Sequence, residues 1–172
     1  DGFLYFGPDG RYTSGNETLD EGVQALLGAA CEEASSREEK LRQAYDYIRD
    51  NYRYLSMQHY DAGTTDWAEE AALSFLETGK GNCYCFAGLF MYCARQLGYQ
   101  AYVVAGWESN PTNDHAWTMI YGVGLRYEFP QKGSMRIFIC FTVSRSTCLA
   151  PKSRTACIAA SGIISPKSKE RQ

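Results

Sequence analysis

The chain lacks several features that define whole classes of protein. No window approaches about 18 consecutive apolar residues, so the sequence predicts no membrane-spanning helix. Only two of its 172 residues are histidines, and the cysteines are not at metal-ligand spacing, so we expect neither a metal nor another cofactor. The seven cysteines are odd in number and show no disulfide pattern. No leader is visible at the start, which suggests an excerpt of a longer protein.

Charge is distributed unevenly along the chain, whose net charge is −3. Residues 131–172 hold eight basic side chains and one acidic one, a balance of +7, which leaves −10 for residues 1–130. All 13 tyrosines and all three tryptophans precede residue 131. The basic residues of the tail are scattered mainly among serine, alanine and isoleucine, with no tyrosine or tryptophan between them, which argues against a nucleic-acid partner.

We therefore treat residues 131–172 as an atypical basic C-terminal segment. Two explanations stay open for it: a change of reading frame near residue 130 in the source, or a genuine basic extension of unknown purpose.

Residues 1–17 predict an aromatic hairpin or linker. Phe3, Tyr5 and Phe6 form a short strand, Pro8-Asp9-Gly10 is typical of a turn, and Tyr12 begins a second strand. The segment resembles one unit of the aromatic, glycine-rich repeats with which Gram-positive surface proteins hold cell-wall polymers. That resemblance implies a cell-wall polymer as a partner, and a plain hairpin is the alternative.

Helical periodicity and capping signals predict four helices. Thr18-x-x-Glu21 and Ser36-x-x-Glu39 are typical of capping boxes, and Asp66 and Gly79 bound a third segment. The helices are expected near residues 20–33, 37–52, 67–78 and 83–97.

The fourth helix carries the most informative residues. Gly81 ends the preceding structure, Asn82 is a good N-cap, and an amphipathic helix is expected to continue to about Leu97. Cys83 then lies in the first turn, where free N–H groups and the helix dipole favour a thiolate. Cys85 is a competing candidate for the reactive thiol, but it lies about 200° further around the helix, so the two cysteines cannot both face one site. The Asn82 N-cap favours Cys83. Cys93 lies on the apolar stripe and is expected to be an inert core residue.

Strands follow the fourth helix. Residues 100–107 and 115–121 show strand patterns, with His115 at the start of the second, and residues 125–129 predict a third. A cysteine at a helix start and a histidine at a strand start are the parts of a Cys–His nucleophilic pair. On residue types alone, a purely structural role for both remains open.

Three ordered blocks resemble the transglutaminase-like superfamily, in particular the bacterial domains of surface and secreted proteins. The blocks are Gly81-x-Cys83-x-x-Phe86-Ala87, Leu97-Gly98-Tyr99-x-Ala101-x-x-Val104-x-Gly106 and His115-Ala116-Trp117. The resemblance covers residues 37–129. It implies an α+β, papain-like domain over residues 18–130, with N-terminal helices and the nucleophile helix packed on an antiparallel sheet. By the same resemblance, Cys83 is the nucleophile and His115 its base.

The third catalytic position departs from the family. The family pattern continues to an aspartate that orients the imidazole, whereas this chain has Tyr127-Glu128-Phe129-Pro130. Glu128 is the only acid nearby and is our candidate, although strand alternation could direct it to the other face of the sheet.

The resemblance implies a cysteine acyl-transfer enzyme that acts on protein or peptide amides, cross-linking or hydrolysing them through a thioester. The alternative is a catalytically impaired binding or scaffold domain, which the missing aspartate favours. By resemblance, the location is the surface or medium of a Gram-positive bacterium.

Overall fold

The chain folds into helices followed by a sheet, as the computed structural model shows for residues 4–55, 60, 64, 66–107, 114–121, 127–129, 137–142 and 157–159. The helices in these ranges are α1 (Glu17–Ala30), α2 (Arg37–Asn51), α3 (Trp67–Thr78) and α4 (Cys83–Gln96). The strands are β1 (Tyr5–Phe6), β2 (Tyr12–Thr13), β3 (Arg53–Tyr54), β4 (Lys80–Gly81), β5 (Ala101–Trp107), β6 (Asp114–Tyr121), β7 (Tyr127–Phe129), β8 (Ile137–Thr142) and β9 (Cys157–Ala159). The predicted α+β fold class is confirmed.

Short polar side chains set where the helices begin. The Ser36 capping box is present, with Ser36 and Glu39 each bonding the other's backbone N–H. The predicted Thr18 cap is wrong, because α1 begins earlier and Asn16 caps it by accepting a hydrogen bond from the Leu19 N–H at 3.1 Å. An asparagine caps a helix at least as well as a threonine, so the earlier start prevails.

Helix α4 is the centre of the molecule. All twelve residues from Cys83 to Ala94 are buried, because α1, α2 and α3 pack on one side and β5 and β6 on the other. The expectation of an amphipathic helix is therefore wrong, since α4 has no solvent face over this length. A Cβ at Gly88 would lie 2.8 Å from the Ala68 carbonyl oxygen, so the glycine permits α3 and α4 to approach closely.

The large sheet has the strand order β7-β8-β6-β5-β9. Strands β5 and β6 pair antiparallel, from Ala101↔Ile120 to Trp107↔Asp114, as predicted. Strand β8 lies between β6 and β7, pairing parallel with β6 and antiparallel with β7. The predicted third strand thus belongs to the sheet but is not the direct neighbour of the histidine strand.

The N-terminal segment forms the predicted hairpin, with β1 and β2 antiparallel. Tyr12 joins it to α4, because Gln96 Nε2 donates to the Tyr12 carbonyl and Arg95 to the Tyr12 hydroxyl, both at 3.1 Å. Most of residues 131–172 lies outside the described residues, apart from β8 and β9. Within the described ranges, no helix has the length and apolar character needed to cross a membrane.

Candidate active site

The start of α4 places a cysteine in the first turn of a capped helix. Asn82 caps the helix, its Oδ1 accepting from the N–H groups of Tyr84 at 3.1 Å and Cys85 at 3.4 Å. Cys83 is the first helical residue and is fully buried. The N–H groups of a first turn have no partner inside their own helix, and here the Asn82 side chain accepts two of them. The dipole of α4 still favours a negative charge at this position.

A short parallel bridge between β3 and β4 brings a tyrosine to this cysteine. Tyr54 pairs with Gly81, and the Leu55 N–H donates to the Gly81 carbonyl at 2.9 Å. The Tyr54 ring stacks on Phe86 with 6.3 Å between ring centroids. Residues 29 positions apart in sequence, Tyr54 and Cys83, therefore become neighbours.

The Tyr54 hydroxyl contacts the backbone of Cys83. Burial, and after it the neighbouring Cys83 thiol, raise the pKa of Tyr54 to about 12, while a hydrogen bond from the Cys83 backbone acts in the opposite direction. A bond that favours the phenolate is one donated to the phenol oxygen, here by the Cys83 N–H. Because its pKa is high, Tyr54 keeps its proton at neutral pH and can also donate.

Cys85, the competing thiol, is committed to packing. A Cβ placed on Gly81 would lie 2.5 Å from the Cys85 Cβ, 2.6 Å from its Sγ and 2.9 Å from a ring carbon of Phe75. The Cys85 side chain therefore fills the space beside Gly81, facing Phe75 of α3.

Two of the remaining thiols are poor nucleophiles. Burial raises the pKa of the Cys85 thiol, against a smaller opposite effect of backbone hydrogen bonds. Burial also raises the pKa of Cys93, which is completely enclosed. A thiol with a raised pKa carries little thiolate at neutral pH, so neither is suited to attack a carbonyl. The structure thus places Cys93 in the core, as expected.

The topology brings His115 to the same end of the molecule as Cys83. Strand β5 begins beside the C-terminal end of α4, where Arg95 Nε donates to the Ala101 carbonyl at 2.9 Å. Since β6 runs antiparallel to β5, with Ala101 opposite Ile120, β6 runs parallel to α4. Its first residues, including His115, therefore lie at the end where α4 begins.

His115 is buried at the edge of the α4–β6 contact. Ala116, Thr118 and Ile120 form the buried row that faces α4, and the Thr118 Oγ1 donates to the Ala87 carbonyl at 2.8 Å. By strand alternation His115 shares the other face with Trp117, whose ring centroid is 6.1 Å from the imidazole. The imidazole thus sits at the strand end and not within the row that packs on the helix.

Glu128 lies further away along the sheet. It is in β7, opposite Phe138 of β8, and β8 separates it from the histidine strand. Neighbouring strands are about 4.8 Å apart, so the backbones of β7 and β6 are about 10 Å apart. Its predicted role as the orienting acid stays a prediction.

Sequence reasoning missed Tyr54 and Thr118. Each meets α4 through a contact between residues distant in the chain, and neither lies in a recognisable motif. A signal for Tyr54 is present in the sequence, since the short β3 segment that contains it directly follows α2. That segment pairs as a strand with Lys80 and Gly81, which precede the cysteine.

The match to known families agrees with this architecture. The model of the transglutaminase-like superfamily matches residues 24–131, more than half of the chain. The chain therefore belongs to the transglutaminase-like superfamily. No curated protein matches it.

Two solved structures are similar in fold. One is a proposed cysteine protease from Cytophaga hutchinsonii, 22% identical with a TM-score of 0.46, covering 59% of this chain. The other is described as a TGase, 17% identical with a TM-score of 0.45, covering 90% of this chain. In both cases the match spans 34% of the other protein.

In the part of the chain that the structure describes, no three His, Cys, Asp or Glu side chains are grouped as metal ligands.

Proposed function

We propose that this domain is a cysteine acyltransferase that acts on protein or peptide amides. The observation that carries the proposal is the placement of Cys83, at the start of the buried helix α4, at the same end of the α4–β6 layer as His115. Membership of the transglutaminase-like superfamily supports it, because the three sequence blocks that carry the resemblance hold these two residues.

The first half of the reaction forms a thioester. The Cys83 thiolate, stabilised by the start of α4 and by an imidazolium at His115, attacks the carbonyl carbon of a carboxamide. A tetrahedral oxyanion results. When it collapses, the carbon–nitrogen bond breaks, His115 gives its proton to the departing nitrogen, and ammonia or an amine leaves.

Two donors are available for the oxyanion. The Cys83 N–H donates to the Tyr54 hydroxyl oxygen in the free protein, so this oxygen marks a point that a substrate oxygen could occupy. We propose that the substrate oxygen takes over the Cys83 N–H and that the Tyr54 hydroxyl turns to donate to it. Such donors act on charge that develops in the transition state, which is why they accelerate the reaction.

The second half of the reaction resolves the thioester. A primary amine or a water molecule attacks the thioester carbon, His115 accepts a proton from it, and the Cys83 thiolate leaves. An amine yields a cross-linked amide and water yields a carboxylate. Both outcomes are compatible with the proposed residues.

A catalytically impaired binding domain is the second candidate function. The observation that favours it is the position of β8 between β6 and β7, which keeps the backbone of Glu128 two strands from that of His115. Without an orienting acid, an imidazole can adopt the wrong tautomer, so we expect slow turnover even if the thiol is reactive.

The test combines a thiol probe with two turnover assays. We expect iodoacetamide to modify Cys83. The turnover substrates are a glutamine-containing protein and a fluorescent alkylamine, and we expect incorporation of the amine or release of ammonia. Cys83→Ala and His115→Ala should abolish both activities. Cys31→Ser, a change to a half-buried thiol at the end of α1, serves as the control and should retain activity. A reactive Cys83 without turnover would favour the binding domain.

The N-terminal hairpin is the basis for a proposed polymer contact. Tyr5 and Phe6 of β1 are 67% and 59% exposed, although the hairpin itself is fixed to α4 through Tyr12. We propose that these rings stack on sugars of a bacterial cell-wall polymer and that the protein acts at the cell surface or outside the cell. We expect the wild-type protein to co-sediment with purified cell walls and the variants Tyr5→Ser and Phe6→Ser to lose this co-sedimentation. Unchanged co-sedimentation of the variants would refute the contact.

A further inference from the structure

A buried side-chain hydrogen bond links α4 to β6, the two elements that carry the proposed catalytic pair. Thr118 is fully buried, and its Oγ1 donates to the Ala87 carbonyl at 2.8 Å. Ala87 lies four residues after Cys83 in α4, and Thr118 lies three residues after His115 in β6. The contact therefore has a fixed offset from each member of the pair.

The Ala87 carbonyl is an acceptor that already has a partner within α4. In an α-helix, the carbonyl of residue 87 accepts the N–H of residue 91, so Thr118 uses the second lone pair of an oxygen that already has a partner. Helix formation does not require this bond. A valine would fill nearly the same volume at this position, so packing alone does not call for the hydroxyl either.

The directional bond of Thr118 constrains the position of α4 relative to β6 more closely than apolar packing does. The other residues of the row that faces α4, Ala116 and Ile120, are apolar, and apolar contacts have no directional preference. A hydrogen bond weakens steeply when its length or angle departs from the optimum, so it sets the position of α4 along and around β6. Along the helix axis, Cys83 lies about 6 Å before Ala87, and along the strand His115 lies about 10 Å before Thr118.

We infer that Thr118 is a positioning residue, which sets the separation of the Cys83 thiol and the His115 imidazole through its bond to Ala87. The inference rests on the proposed function, since it assigns Thr118 to the same pair. Misplacement of reacting groups by about 1 Å can cost on the order of 100-fold in rate. Loss of this bond should therefore reduce catalysis by much more than it reduces stability.

The experiment compares Thr118→Val, which removes the hydroxyl, with Thr118→Ser, which keeps it. The readout is the rate of Cys83 alkylation by iodoacetamide as a function of pH, which needs no turnover, together with kcat and KM wherever turnover is detected. We expect Thr118→Val to lower alkylation of Cys83 at mildly acidic pH by about tenfold and kcat by about 10- to 100-fold, with KM unchanged. Thr118→Ser should restore both.

Thr78→Val is the matched control. The Thr78 hydroxyl also donates to a helix carbonyl, that of Ser74 at 2.7 Å, but at the exposed end of α3, where it also bonds the backbone of Lys80 in β4. It should leave the alkylation profile unchanged. Denaturant unfolding of all variants reports whether they fold.

Two failures can be told apart. If the wild-type profile differs from that of His115→Ala but Thr118→Val matches the wild type, the positioning role is refuted while the proposed pair stands. If the wild type already behaves like His115→Ala, the pair does not exist, and the proposed function and the role of Thr118 fall together. If Thr118→Ser is as impaired as Thr118→Val, the methyl group matters and the hydrogen bond does not, which also refutes the inference.

Discussion

Gly81 and Cys85 are in such close contact that no larger residue fits at position 81. The Cβ of any other residue would lie 2.5 Å from the Cys85 Cβ and 2.6 Å from its Sγ, where ordinary carbon–carbon contacts are about 3.5–4.0 Å. The glycine before the proposed nucleophile therefore serves the packing of Cys85 and not a special backbone angle. It also keeps the start of α4 close to β3, on which Tyr54 lies.

Gly81→Ala should destabilise the protein by about 1–3 kcal/mol, because the added methyl group overpacks a rigid part of the core. Gly28→Ala is the matched control. Gly28 lies in α1, and a Cβ added there would have nothing within 4 Å, so alanine should stabilise the helix by about 0.5–1 kcal/mol. Urea denaturation of the three proteins measures both changes.

The contact can be tested further with a double variant. Because Cys85→Gly removes the Cβ that an alanine at position 81 would meet, Gly81→Ala should cost less in the Cys85→Gly background than in the wild type. Equal costs in both backgrounds would show that the strain of Gly81→Ala comes from elsewhere.

Local signals in the sequence were sufficient to locate the helices. The Ser36 capping box and the Asn82 cap set the first residues of α2 and α4 within a residue of their predicted positions, because capping bonds join neighbours in the chain. The end of α3 is equally local, since Gly79 adopts a φ of 66°, in the left-handed region that glycine favours. Asn16 was missed because Thr18 offered a second, equally good local pattern.

Contacts between distant residues could not be predicted in the same way. Helix α4 is buried on all sides because three helices and a sheet pack around it. The pattern of apolar residues within α4 does not by itself predict that burial. The contact of Tyr54 with Cys83 depends on the register of a two-residue bridge. The position of β8 between β6 and β7 likewise follows from pairing across the sheet, and so the distance of Glu128 from the histidine strand was not foreseen.

Cys83 should be alkylated before Cys85 and Cys93 at mildly acidic pH. In the proposed pair, the start of α4 and an imidazolium at His115 would both favour the Cys83 thiolate, whereas burial raises the pKa of the other two thiols. Brief treatment with iodoacetamide followed by peptide mass spectrometry gives the order. Faster modification of Cys85, or an order unchanged by His115→Ala, would contradict the proposed pair.

Tyr54→Phe should lower kcat on the order of 100-fold and leave KM nearly unchanged, because it removes a donor that is needed chiefly in the transition state. Tyr52→Phe is the control, since Tyr52 packs on Phe75 with 4.7 Å between ring centroids and its pKa is also raised to about 12. It should keep full activity. Comparable losses in both variants would point to a general effect of tyrosine removal on the fold.

Glu128→Gln separates the two interpretations of the third catalytic position. If Glu128 orients the imidazole, the variant should lose most of the remaining amide turnover while Cys83 stays reactive toward iodoacetamide. Steady-state ammonia release and alkylation, measured on the same preparation, give both values. Full turnover in Glu128→Gln would show that the pair works without this carboxylate.

Three partly buried tyrosines predict a loss of stability in alkali. Burial is the largest cause that raises the pKa values of Tyr52, Tyr54 and Tyr60 from 10.0 to about 12 in the folded protein. In the unfolded chain these phenols ionise near pH 10, so between about pH 10 and about pH 12 the unfolded state binds fewer protons than the folded state. Their contribution to stability is therefore complete below pH 10 and is lost as the pH rises through about 12.

Thermal unfolding measured at intervals from neutral pH upward should show a melting temperature that falls once the pH exceeds about 10. Replacing the three tyrosines together, Tyr52→Phe, Tyr54→Phe and Tyr60→Phe, should flatten that fall, because phenylalanine keeps each ring and removes the ionisation. A titration of tyrosinate absorbance should show that the triple variant lacks the phenols that ionise near pH 12 in the wild type. An equally steep fall in the triple variant would assign the alkaline loss to other groups, such as the buried thiols, whose pKa values are raised as well.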